Sequence, residues 1–183
     1  MKRMLALVVS ALFLVIPMLS ALANFGWEDD LFVLYDAEMA FAIPEGAVVA
    51  SDEELAAENA ALGSFEPTTI FMVTDPATGI IGVIGTYELD DPDEIGEYAL
   101  ALANAMAETM EADPSAIDMS EEATFFDNES ILIHFSTDDM GVMSHVFAST
   151  SGAYAFVLIY PTVADRAAGT FLNQLFMLGD YAR

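Results

Sequence analysis

The chain contains no cysteine in 183 residues. Disulfides, thiol nucleophiles and zinc–thiolate sites are therefore excluded, and stability has to come from packing. Basic residues are nearly as scarce, with Lys2, Arg3, Arg166 and Arg183 set against 30 Asp and Glu. Beyond Lys2 there is no lysine for Schiff-base chemistry or for reaching a phosphate. Nucleic acid and anionic membrane surfaces are recognised through clustered Lys and Arg, so both are excluded as partners. Other signatures are missing too: there is no G-x-S-x-G elbow and no H-E-x-x-H. Residues 90–96 imitate the start of an EF-hand loop but place Pro92 where a ligand should be. Gly79, Gly82 and Gly85 have the spacing G-x-x-G-x-x-G inside a strand pattern, which is the wrong order for a nucleotide loop.

The first 23 residues have the three parts of a secretory signal. Lys2 and Arg3 precede an apolar run over residues 4–19, and Ala21-Leu22-Ala23 forms a small-x-small cleavage site. The competing reading is a retained anchor, for which the run is short and broken by Pro17 and Ser20. Cleavage after Ala23 predicts a secreted or extracytoplasmic protein with Arg166 and Arg183 as its only basic residues, a formal charge of −28. Such a charge favours cations or a basic protein surface as partners. It also fits a solvated, self-repelling surface, salt adaptation included. An apolar fraction of 55%, with 13 Phe and six Tyr, argues for a folded domain despite the acidity. Residues 24–30 read as a disordered start or linker, and residues 31–183 as a single α+β domain without internal repeats.

Residues 124–160 predict the centre of an antiparallel sheet, with turns at Asp127-Asn128, residues 137–140 and Ser151-Gly152. Ile131, Ile133 and Phe135 share one parity, against Ser130, Leu132, His134 and Ser136 on the other. The last run is apolar on both faces. Tyr154, Phe156, Leu158 and Tyr160 alternate with Ala153, Ala155, Val157 and Ile159, so this strand should be central and covered on both sides. Further strands are expected over residues 31–35 and 38–43, and a hairpin over residues 68–88 around Asp75-Pro76-Ala77-Thr78-Gly79. Three helices are expected. The first covers residues 51–62, with Ser51 and Glu54 as a capping box and Gly63 as its stop. The second covers residues 91–112, with Asp91 as its cap and Ile95, Tyr98, Ala99, Leu102, Met106 and Met110 on one face. The last follows Pro161, with Thr162 as N-cap and Phe171, Leu175 and Leu178 inside.

An early strand ending in Phe41-Ala42-Ile43-Pro44, a hairpin, a long helix, a meander and a last helix after the Gly152-Ala153-Tyr154 strand together resemble the PsbP-like fold family. Its namesake is an extrinsic subunit of photosystem II, and the chain looks like a secreted bacterial-type member. The resemblance implies an α-β-α sandwich with a central antiparallel sheet. It also implies an accessory or binding role, with docking and in places metal binding. The basic docking residues of the photosynthetic members have no counterpart here, so no functional residue is carried over.

Two groups of residues could carry chemistry. Pairing of residues 129–136 with 142–148 would put Leu132 opposite His145 and make His134 and His145 diagonal neighbours, a pair able to bind a transition metal or act as a general base. Asp138, Asp139 and Asp165 meet at one sheet end as a hard-cation site, for which calcium is the expected ion. Asp127, Asn128 and Glu129 mark the opposite end, where turn residues are ordinary. The expectation is an exported, highly acidic binding or accessory protein. The alternative is an exported hydrolase using carboxylates or the His134/His145 pair.

Overall fold

The computed structural model describes residues 24–61, 67–89, 91–125, 128–150 and 152–175. The proposed signal segment, Gly63, Asp127 and Leu178 lie outside these residues. The described chain is α+β. Strands β1 (Phe25–Glu28), β2 (Leu31–Leu34) and β3 (Met39–Ala42) form a small antiparallel sheet in sequence order. Strand β4 (Val48–Val49) and helix α1 (Asp52–Ala61) follow, then β5 (Thr68–Asp75), β6 (Ile80–Tyr87) and helix α2 (Ile95–Thr109). The meander β7 (Asp118–Phe125), β8 (Asn128–Ser136), β9 (Met140–Ser149) and β10 (Gly152–Pro161) leads to helix α3 (Asp165–Leu175).

Strands β4 to β10 make one seven-stranded antiparallel sheet in the order β4-β5-β6-β10-β9-β8-β7. The strand apolar on both faces, β10, lies in the middle. Its side chains divide by parity: Tyr154, Phe156, Leu158 and Tyr160 enter one apolar cluster, and Ala153, Ala155, Val157 and Ile159 enter the other. The first cluster is closed by Phe32, Leu34, Met39 and Phe41 of the small sheet and by Ala168, Phe171 and Leu175 of α3. The second is closed by Tyr98, Ala99, Leu102, Ala103 and Ala107 of α2. The hydroxyl of Tyr154 donates to Asp36 at 2.7 Å, tying the β2–β3 turn to the central strand.

The local signals act largely as their chemistry requires. In the capping box of α1 the Glu54 carboxylate accepts from the Ser51 backbone N–H at 2.7 Å and from the Ser51 hydroxyl at 2.8 Å. Asp75 accepts from the Ala77 N–H and the Thr78 hydroxyl to shape the β5–β6 turn, which Gly79 closes at φ +75°. Gly85 has a steric role: a Cβ there would lie 2.6 Å from the Pro67 ring.

Three expectations need correction. Residues 24–30 are not a disordered start or linker, since they contain β1, paired with β2 from Phe25↔Leu34 to Glu28↔Leu31. Half-buried Phe25 packs on the first apolar cluster, which gives that strand its reason to be ordered. Asp91 caps a 3₁₀ turn, Pro92–Glu94, rather than α2 itself, its carboxylate accepting from the Asp93 N–H at 3.0 Å. Thr162 is not the N-cap of α3. Its N–H and hydroxyl donate to the carbonyls of Asp139 and Asp138, fastening the start of a 3₁₀ turn, Thr162–Ala164, to the β8–β9 loop. Among the described residues no helix is long and apolar enough to cross a membrane.

Candidate functional site

The register between β8 and β9 pairs Leu132 with His145 and His134 with Met143, so the two histidines are diagonal neighbours on one face. Their environments are opposite. His134 is exposed and sits across from Asp118 of β7. His145 is half-buried, its ring stacked on Phe125 at 4.4 Å, and its Nδ1 lies 3.1 Å from the hydroxyl of Ser130. Burial pushes His145 down to about 4, so its imidazole is neutral at pH 7. A strand residue has two diagonal neighbours on the adjoining strand, and here the imidazole is turned toward Ser130 rather than His134. Sequence reading chose the other diagonal because Ser130 looked like part of a solvated face, whereas it is buried under the aromatic cluster. A hydroxyl–imidazole pair is the start of a nucleophilic site. Here Ser130 is buried and Phe125 stacks on the imidazole, so the contact gives a buried hydroxyl its partner on a half-buried ring.

The residues expected to bind calcium meet the start of the last helical segment in two ways. Asp138 and Asp139 hold Thr162 through their backbone carbonyls, and the Asp165 carboxylate accepts from the Tyr160 hydroxyl; burial first, then the Asp165 charge and this hydrogen bond, keep that phenol above its usual value. Among the described residues no group of three or more His, Asp or Glu is placed to hold a metal ion, and Asp138, Asp139 and Asp165 are all among those residues.

The concave surface lies on the other face of the sheet. Helix α2 covers β8 and β9, while β5 and β6 extend past it, and α1 stands on their far side. Asn59 fixes that wall: its side-chain amide donates to the Thr69 carbonyl at 2.8 Å and accepts from the Thr69 N–H at 2.7 Å. It substitutes for a neighbouring strand where β4 is too short to reach, next to the irregularity between Thr69 and Phe71. The hollow left between α1 and α2 has a volume of about 190 Å³. Val83, Val157 and Ile159 form its floor, and Leu102, Met106 and Met110 form one side. Among the described residues Glu58 is its only carboxylate and no histidine lines it.

A second hollow of about 230 Å³ lies at the N-terminal end of α2, between Glu94, Glu97, Tyr98 and Ala101 of the helix side and Tyr87 and Leu89 of the sheet side. Tyr87 and Tyr98 stack at 4.4 Å. Tyr98 is only 7% exposed and its hydroxyl has no hydrogen-bond partner among the described residues; burial and the neighbouring Tyr87 push its ionisation far above the usual phenol range. Sequence periodicity assigned Met106, Met110 and Tyr98 to the core face of α2. It could not show that the sheet extends beyond this face.

Comparison with protein-family models finds no match, and comparison with curated proteins finds none either.

Proposed function

We propose that this chain is an exported, acidic binding or accessory module of the PsbP-like kind, released by cleavage after Ala23, and that the Met-lined hollow between α1 and α2 is its binding site. The observation that carries this reading is the composition of the hollow. An open, mostly apolar concavity with flexible methionines and, among the described residues, a single carboxylate suits a surface that accepts an apolar group and adapts to it. The hydrolase alternative needs the His134/His145 pair or converging carboxylates beside a cavity, and among the described residues this hollow is lined by neither histidine and by one carboxylate, Glu58. The order of elements, with α2 on one face of an antiparallel sheet and α3 on the other, supports the PsbP-like assignment.

Methionine-methyl NMR tests the site. A 150 Å³ apolar cavity is enough for benzene, so toluene is a suitable neutral probe, indifferent to the charge of the protein. Saturable shifts at the Met106 and Met110 methyls, abolished by Ala105→Arg at the mouth, are expected. Shifts spread over all methionines without saturation would remove the hollow as a binding site.

A further inference from the structure

The two hollows lie on one flank of α2 and share β6 as their floor. Two independent rulers give their separation. Val83 in the first and Tyr87 in the second are four residues apart on β6, roughly 13 Å at strand rise. Met106 and Tyr98 are eight residues apart on α2, about 12 Å at helix rise. The hollows differ in chemistry. The first offers methionine and aliphatic side chains; the second offers the exposed Glu94 and Glu97 beside a stacked tyrosine pair and a buried phenol oxygen without a partner.

We infer that the pair of hollows docks an extended, basic segment of another protein, placing an apolar side chain in the Met-lined hollow and a Lys or Arg four residues along against Glu94, Glu97 and Tyr87. This deepens the reading of the hollow as a binding site and rests on it. Charge complementarity identifies the occupant: with 30 acids and almost no basic residues the protein repels acidic and attracts basic surfaces, and Glu58, Glu94 and Glu97 stand at the two hollows themselves. An aromatic face beside carboxylates adds cation–π attraction for an ammonium or guanidinium. Extended conformation follows from the spacing. Side chains at i and i+4 of a strand point the same way about 13 Å apart, matching the spacing, whereas in a helix the same-face position i+7 reaches only about 10.5 Å and i+8 turns the second side chain away by about 80°.

The test uses blocked peptides in a Ser/Thr background, measured by calorimetry at fixed ionic strength. The parent peptide has leucine and, four positions on, lysine; the control has the same composition with the lysine three positions on, where it faces the opposite side. The parent is expected to bind at least tenfold more tightly than the control. Glu94→Gln with Glu97→Gln should weaken the parent about tenfold and reduce its salt dependence, while leaving toluene binding unchanged. Equal binding of the two peptides, no binding of the parent, or indifference to the Glu variants would overturn the inference. The toluene titration separates the two failures: if toluene still saturates the Met106 and Met110 methyls, only the basic-segment inference is lost, and if it does not, the binding site is lost with it.

Discussion

The two faces of the central sheet are packed by opposite strategies. On one face large rings meet large rings: Phe32 stacks on Phe71 at 4.7 Å, Phe125 on Phe156 at 5.3 Å, and Phe41 on Phe156 at 6.4 Å. Two covers, the small sheet and α3, close over them. On the other face the cluster is richer in small residues, with Ala153 and Ala155 of β10 and Ala99, Ala103 and Ala107 of α2 among its members. Small side chains let the helix come close, but one helix is narrower than seven strands. Val83, Met106 and Ile159 are left half-buried, and two hydroxyls, of Ser144 and Tyr98, are buried without a partner among the described residues. A filled face stabilises the fold, and an incompletely covered one leaves room for a ligand.

The largest effect should come from truncating the filled face. Phe156→Ala is expected to cost about 3–5 kcal/mol in chemical denaturation, because rings on several sides cannot collapse into the space. Leu102→Ala beside the hollow should cost nearer about 2 kcal/mol, since solvent already reaches its surroundings. Equal costs would break the contrast between the faces.

The next effect is a pH dependence confined to the filled face. His145 has a folded-state value of about 4, below its ordinary 6.5, so between those pH values the unfolded chain binds the extra proton. Stability should therefore be complete above pH 6.5 and fall as the pH drops toward 4. The loss attributable to His145 is on the order of 2 kcal/mol, less than the full shift because the ring is partly solvated. Melts of wild type and His145→Gln over this range check it: the variant should lose that slope, and His134→Gln should retain it.

Asn59→Ala should cost about 1–2 kcal/mol, by leaving the Thr69 N–H and carbonyl unpaired, and should loosen α1. The sharper readout is toluene binding, which should weaken with it although Asn59 does not line the hollow. Smallest of all, Tyr98→Phe should be neutral or stabilise by up to about 1 kcal/mol, because it removes a buried hydroxyl that has no partner. The same change should weaken the basic peptide if the phenol oxygen takes part in holding its cation.

Much of the fold was legible because it follows from short-range rules. The double-faced alternation of residues 152–160 predicted the middle strand, and the Leu132↔His145 register followed from the loop at residues 137–140. Ser51 with Glu54, and Asp75 with Gly79, declared a helix start and a turn through local hydrogen bonding. Strand β1 was missed because its four residues, FGWE, are too short for a period and take their order from pairing with β2. Thr162 was misread because the competing acceptors, the carbonyls of Asp138 and Asp139, are far away in sequence. The hollow was invisible for a related reason: its lining comes from α1, β5, β6, α2, β9 and β10, and a concavity is the absence of cover rather than any pattern of residues.

By itself, the sequence determined that this is a cysteine-free, strongly acidic chain with a two-sided sheet and amphipathic helices, because composition and periodicity act residue by residue. Tertiary structure alone decided which diagonal His145 takes, which backbone carbonyls hold Thr162, and where α2 stops short of covering the sheet. Those outcomes depend on which side chains compete for the same space and the same hydrogen bonds once distant segments meet.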